Sequence, residues 1–214
     1  MENNVSVDII EKWSMAWSLS RELPLPVRCK SGFKVNVGKK KKKMRYLFPE
    51  VNDDFLQLSK SITDPWIFLK VCASPSEIKN LISKEWEIQP QGYMMFCFRR
   101  MNIQNIDLLH KDYKLEFDTY NSTHVIKIIT QQGELASIGR VVLVDDLAVY
   151  DRISTADTHR RKGLATFLIK ELEKIAISKN VFNNFLVATE EGKLLYESLG
   201  WELYSFYTTI VIPD

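Results

Sequence analysis

The stretch that most constrains the fold is RISTADTHRRKGLATFLIKELEK, residues 152–174. A run with strand character ends at Ile153-Ser154-Thr155, and polar residues then make a turn. Gly163 permits close backbone approach, and a helical period begins. Leu164, Phe167, Leu168, Leu172, Ile175 and Ala176 share one stripe, while Lys170, Glu171, Glu173 and Lys174 fall on other faces. A strand feeding an amphipathic helix through a glycine-bearing loop predicts a helix packed back on a sheet, hence an α/β architecture. The first N–H groups of such a helix have no intrahelical acceptor and the helix dipole adds positive potential, so the loop is a natural anion cradle. Arg160, Arg161 and Lys162 add charge, and Thr166 brings a hydroxyl to the first turn. The spacing fits neither G-x-x-x-x-G-K-[ST] nor G-x-G-x-x-G.

Composition excludes several classes of function. The net charge of +2 lacks the basic excess of a dedicated nucleic-acid binder. Five consecutive lysines, Lys39 to Lys43, lie between two strand-like runs and read as a solvated hairpin tip. Cys29, Cys72 and Cys97 are odd in number and form no C-x-x-C pair, and only three histidines are present. Neither a metal site nor a disulfide framework is expected. The N-terminus, MENNVSVDIIEK, has no signal-peptide core, and no stretch approaches the ~20 apolar residues that span a bilayer. The expectation is a soluble cytoplasmic protein with no nucleic-acid or membrane partner. The oligomeric state stays open, a homodimer among the options.

Along the chain, Ile9, Ile10, Trp13 and Trp17 predict a helix over 5–18, ended by the turn ELPLP. GFKVNVG and MRYLFPEV read as strands. DDFLQLSKSI reads as a helix, WIFLKVCA as a strand, SEIKNLIS as a helix opened by Ser74-Pro75, and GYMMFCFR as a strand. Asp107 to Lys114 is a polar transition. Beyond it come YKLEFDTY, THVIKIIT, two strands parted near Asp145-Asp146, the 164–178 helix, a short strand NNFLVAT, the helix EEGKLLYESL stopped by Gly200, and one or two final strands in WELYSFYTTIVI. Two regions follow: an N-terminal subdomain, 1–110, and a domain over 111–214. Residues 113–214 are expected to form one mixed sheet carrying both helices.

Arg160-Arg161-Lys162-Gly163-Leu164-Ala165 matches the pattern [Q/R]-x-x-G-x-[G/A], and about thirty residues on stands Leu195-Tyr196-Glu197-Ser198-Leu199-Gly200-Trp201. Together, in a strand–loop–helix context, they resemble the acetyl-CoA loop and the "LYExxGF" segment of the GNAT N-acetyltransferase superfamily, with Trp for Phe. The resemblance spans about residues 113–214. It departs at Thr189, where Asn is frequent, at Gly192, where Ala is frequent, and at Asp157, where Pro is usual.

The resemblance implies a central mixed sheet splayed into a V, flanked by helices. It also implies acetyl-CoA as cosubstrate and direct transfer of its acetyl group to a primary amine. Main-chain groups of Ile153, Ser154 and Thr155, with the Thr189 hydroxyl, would meet the pantetheine arm. The segment Arg160, Arg161, Lys162, Gly163, Leu164, Ala165 and Thr166 would hold the pyrophosphate. Tyr196 aligns with the family's general acid. Asp151 is the first choice of base, because on a regular strand it shares a face with Ile153 and Thr155. Residues 20–110 read either as a degenerate second GNAT half or as a family-specific substrate subdomain. Their aromatic content favours a small amine or amino acid derivative over a protein acceptor, which would want an open, acidic groove; a silent CoA-binding module is the third option.

Overall fold

The computed structural model describes residues 5–102 and 109–214. Among these, twelve strands form one sheet. The strands are β1 (Val27–Cys29), β2 (Gly32–Lys39), β3 (Lys42–Phe48), β4 (Ile67–Val71), β5 (Glu87–Ile88), β6 (Gly92–Cys97), β7 (Tyr113–Tyr120), β8 (Thr123–Thr130), β9 (Leu135–Val144), β10 (Leu147–Thr155), β11 (Asn183–Ala188) and β12 (Glu202–Val211). Five helices flank it: α1 (Val7–Leu19), α2 (Asp53–Ser61), α3 (Pro75–Ile78), α4 (Leu164–Ser178) and α5 (Glu190–Ser198). The sheet order is β1-β2-β3-β4-β12-β6-β11-β10-β9-β8-β7, with β5 beside β12.

Local chemistry sets these elements. Ser6 and Asn52 cap α1 and α2, their side chains accepting from the Ile9 and Phe55 N–H groups. Ser74 and Glu77 form a capping box with Pro75 in the first turn of α3. That helix stops at Ile78, short of the predicted span. Ile78 is its one buried residue, and Leu81 beyond it is half exposed, so no apolar face rewards another turn. Lys40 and Lys41 sit in an exposed turn between β2 and β3, as the hairpin reading requires. Of the polar transition at 107–114, Asp107 and Leu108 lie outside the described residues.

Residues 113–214 do not close a sheet alone. β12 reaches β11 only through β6, which pairs with both. The first half of β12 bonds to β6, while Thr208–Val211 bond to β4. The last strand therefore joins the N-terminal strands to the rest.

Three apolar clusters hold the layers. The largest fills the space between the sheet and α4 with α5, and includes Ile126, Tyr150, Leu168, Leu172 and Tyr196. A second lies under α1, where Trp13 and Trp17 meet Phe33, Val149 and Tyr207. A third packs α2 and α3 on β4. Burying a side chain the size of Leu168, which is wholly enclosed, stabilises the fold by about 1.5–3 kcal/mol.

Candidate active site

The parallel pairing of β10 with β11 runs from Leu147–Asn183 to Tyr150–Leu186 and stops there. Beyond that point β10 stays bonded to β9 and β11 to β6, so the two strands part. A bulge in β10 shapes the gap. Asp151 pairs with Arg140 and Ser154 with Ile138, so Arg152 and Ile153 face Gly139 alone, and Arg152 takes a φ of 52°. Gly139 is required here, since a Cβ on it would come within 3.1 Å of the Ile153 and Leu172 side chains.

The bulge overturns the regular alternation expected of this strand. Ile153 packs into the α4-side core, whereas Asp151 meets the end of α1 on the opposite face. Both Asp151 oxygens are engaged. Arg21 donates to them from Nε at 3.1 Å and from Nη2 at 2.7 Å, and the Ser20 hydroxyl donates at 2.6 Å. The bidentate pair fixes Asp151 to α1.

On the α4 face the gap opens into a cleft of about 640 Å³. It is lined by Ile153, Ser154, Thr155, Arg160, Arg161, Gly163, Leu164, Ala165, Thr166, Thr189 and Tyr196, with His159 and Glu191 at its edge. Of the expected cofactor-binding positions only Lys162 does not line it; its ammonium donates to the Tyr113 hydroxyl at 3.3 Å. Arg161 and Gly163 both have positive φ, 61° and 74°. Successive N–H groups from Arg161 to Thr166 find no acceptor among the described residues, the first helical bond being Phe167 N–H to Gly163 O at 3.0 Å. This is an anion-binding nest continuous with a helix N-terminus. A Cβ on Gly163 would meet nothing within 4 Å, so the glycine serves the left-handed conformation and the cradle stays open to a ligand. The Arg160 guanidinium is already paired, 2.9 Å from Asp157 and 3.1 Å from Glu191.

Thr189 caps α5, its hydroxyl accepting from Gly192 N–H at 3.2 Å, and lines the cleft where β11 ends. Tyr196 is buried two helix turns further on, its ring against Trp201. Burial, and then the charge of Asp151, hold its phenol above the ordinary tyrosine range, so it stays protonated at neutral pH. His159 is buried beside the loop, with Nδ1 3.0 Å from the Tyr113 hydroxyl.

Sequence reasoning missed the far side of the gap. A cavity of about 190 Å³ lies under α1, lined by Trp17, Arg21, Arg45, Lys70, Asp151 and Tyr207 together with Val149, Tyr150 and Val187. Arg45 and Lys70 come from β3 and β4. The signal was strand alternation: Arg45 shares a face with Leu47, and Lys70 with Cys72, both of which point into the α1-side core. Among the described residues there is no group of three or more His, Cys, Asp or Glu suited to a metal, and no helix is long and apolar enough to cross a membrane.

The chain is similar to known proteins in both sequence and fold. The sequence model of the acetyltransferase (GNAT) family matches residues 79–201. A GCN5-related N-acetyltransferase from Kribbella flavida superposes with a TM-score of 0.69 at 12% identity, over 99% of this chain and 96% of that one. A functionally unknown conserved protein from Staphylococcus epidermidis follows at 0.61 and 10% identity, over 88% and 93% of the two chains. A GCN5-related N-acetyltransferase-like protein from Streptococcus suis gives 0.56 at 13% identity, over 85% and 83%. At these identities the structural matches speak for the fold. No curated protein matches the sequence.

Proposed function

The chain belongs to the GNAT acetyltransferase family, and from that premise we propose that it transfers the acetyl group of acetyl-CoA to the primary amine of a small molecule or amino acid derivative. The observation that carries the proposal is the run of unpartnered N–H groups from Arg161 to Thr166, opening on a cleft that ends at the β10–β11 gap beside Tyr196. The pyrophosphate would lie on those N–H groups. The pantetheine arm would run along Ile153, Ser154 and Thr155, where the bulge leaves Arg152 and Ile153 outside the ladder to β9 and so free to bond a ligand. The Thr189 hydroxyl retains a proton to donate at the cleft's inner end.

In this reading the acceptor enters from the α1 side, and its neutral nitrogen attacks the thioester carbonyl carbon in the gap. The carbon–sulfur bond breaks, the electron pair passes to sulfur, and the Tyr196 phenol gives sulfur its proton. The nitrogen releases its own proton to solvent, from which Tyr196 recovers one. A phenol held protonated by burial suits this step, because it donates only as charge develops on sulfur. With its oxygens taken by Arg21 and Ser20, Asp151 acts as a positioning residue for α1. The small, cationic cavity under α1 favours a small acceptor, since an extended protein chain would want an open groove.

Tyr196→Phe tests the proposal. Turnover, read as thiol released from acetyl-CoA with a panel of amines, should fall about 10²–10⁴-fold, while acetyl-CoA affinity by calorimetry stays near native. Near-native turnover would return Tyr196 to a packing role. A wild-type protein that binds acetyl-CoA yet releases no thiol with any amine would be a binding module.

A further inference from the structure

The cavity under α1 holds an imbalance of charge. Four charged side chains line it, and the one carboxylate, Asp151, is matched by Arg21. Arg45 has no hydrogen-bond or ion-pair partner among the described residues, and its Nε is fully shielded from solvent. Its guanidinium rests on the Trp17 ring, 4.3 Å from the centroid, with Phe68 at 5.8 Å. Stacking on aromatic faces offsets only part of the cost of a cation held away from water. Lys70 stands alongside, its ammonium donating to Thr209 at 2.6 Å and lying 4.9 Å from the Tyr207 ring centroid. Burial, and then Arg45, Arg21 and Lys42, push the Lys70 ammonium well below the ordinary lysine range. Arg152, at the bulge, is likewise depressed, first by burial and then by Arg21 and Arg140. An anion in the cavity would relieve Arg45 and Lys70 at once.

We propose that this cavity binds a carboxylate carried by the acceptor, so that the substrate is a small amine bearing a carboxylate, an α-amino acid or close analogue, with Arg45 as the carboxylate's ligand. The proposal rests on the acyltransferase reading of the adjoining cleft. Two observations select the ligand. The free cation is a planar guanidinium fixed by stacking, which suits bidentate contact with a carboxylate, and after Arg21 is set against Asp151 the remaining charge suits a monoanion better than a phosphate. The cavity wall also includes Tyr150 and Val187, the residues at which the β10–β11 gap begins. Carboxylate and amine stand one carbon apart in an α-amino acid, so anchoring the first delivers the second to the gap.

The test uses the twenty common amino acids, each paired with its carboxamide, as acceptors with acetyl-CoA. Wild-type protein should acetylate one or more amino acids and discriminate against the matching amides. Arg45→Gln should raise the acceptor KM about 10- to 100-fold, the value of a charge-assisted contact, with Arg45→Lys recovering part of it and acetyl-CoA affinity unchanged. Because it removes an unpaired buried cation, Arg45→Gln should also melt higher than wild type when no acceptor is present. Should that variant fail to bind acetyl-CoA, Lys70→Met takes its place, with a smaller rise in KM expected. Equal use of acids and amides, an Arg45→Gln enzyme with native KM and native preference, or a Lys70→Met substitute with native KM would overturn the proposal. So would a preference for succinyl-CoA with amines lacking a carboxylate, which would put the carboxylate on the acyl group. If no amine releases thiol, the acyltransferase reading fails by itself. Calorimetry with the same amino acids then decides the cavity: saturable binding lost in Arg45→Gln supports it, and no binding to wild type refutes it.

Discussion

The two sides of the β10–β11 gap meet charge by opposite means. On the α4 side the cleft offers main-chain N–H groups from one continuous loop, Arg161 to Thr166, and Arg160, a prominent charged side chain at that loop, is held by Asp157 and Glu191. On the α1 side the cavity is lined by residues from six elements, α1, β3, β4, β10, β11 and β12, and by Arg21 just past α1, with no partner for the Arg45 guanidinium among the described residues. A main-chain site depends on the dihedral angles of a few residues and little on which charges surround them. A side-chain site depends on packing and on the balance of charge. Substitutions should therefore divide: the cleft should answer to conformation and direct blockage, the cavity to charge.

The largest effect is expected at Gly163. Gly163→Glu meets no steric obstacle at Cβ, so the protein should fold, with a modest cost of about 1 kcal/mol for a left-handed non-glycine residue. The new carboxylate would sit on the cradle, opposing phosphates in a place built for anions. Acetyl-CoA affinity measured by calorimetry should fall by more than about 100-fold, roughly the exchange of a favourable for a repulsive contact with charged groups. Gly163→Ala separates the terms, since it carries the dihedral cost alone and should lose no more than about tenfold. Unchanged affinity in a folded Gly163→Glu protein would mean the ligand lies elsewhere.

Asp151→Asn probes the other side, with a middling effect. The pair with Arg21 is partly buried, so removing the carboxylate's charge should cost about 1–2 kcal/mol, less than a fully enclosed pair. In a chain of this length that lowers the melting temperature by roughly 2–8 °C. Turnover should stay within about tenfold of native, because the proposed mechanism routes no proton through Asp151 and Arg21 would be freed to face the acceptor. A fall of about 10²–10⁴-fold with acetyl-CoA binding intact would instead make Asp151 the base.

The same contrast explains what could be read from the chain. The cradle was legible because its parts are contiguous: a glycine able to take positive φ, a helix beginning at Leu164, and a β-rich run before it. α4 was predicted over its full span, since six apolar residues repeat on one stripe. The bulge was not legible, although Gly139 opposite Ile153 is its counterpart. A one-residue slip reverses every later side chain on the strand, which is why Asp151 and Ile153 part company despite their spacing. Nor was the insertion of β6 between β11 and β12, a pairing of segments a hundred residues apart. Arg45 and Lys70 could have been singled out only by noticing that alternation sends charges in β3 and β4 toward a core face. What they approach depends on α1, and no local pattern specifies that.

The smallest effect, and the sharpest check on the comparison, belongs to Arg160. It opens the family-like motif, and its charge lies beside the cradle, so a simple electrostatic view makes it a principal phosphate ligand. The geometry argues otherwise. Its guanidinium bridges Asp157 and Glu191, and all three side chains are about half exposed or more, where screening keeps such pairs to about 0–1 kcal/mol. To reach a phosphate it must leave one or both carboxylates, so much of the gain is offset. Arg160→Gln should accordingly weaken acetyl-CoA binding by less than about fivefold, with a slightly shallower dependence on salt, and leave turnover at saturation unchanged. Arg45→Gln, a change of the same residue types on the other side of the gap, is expected to cost about 10- to 100-fold, and on the acceptor alone. A loss of about 30-fold or more in acetyl-CoA affinity for Arg160→Gln would show that side-chain charge governs both sides, and the division between a main-chain cleft and a side-chain cavity would have to be given up.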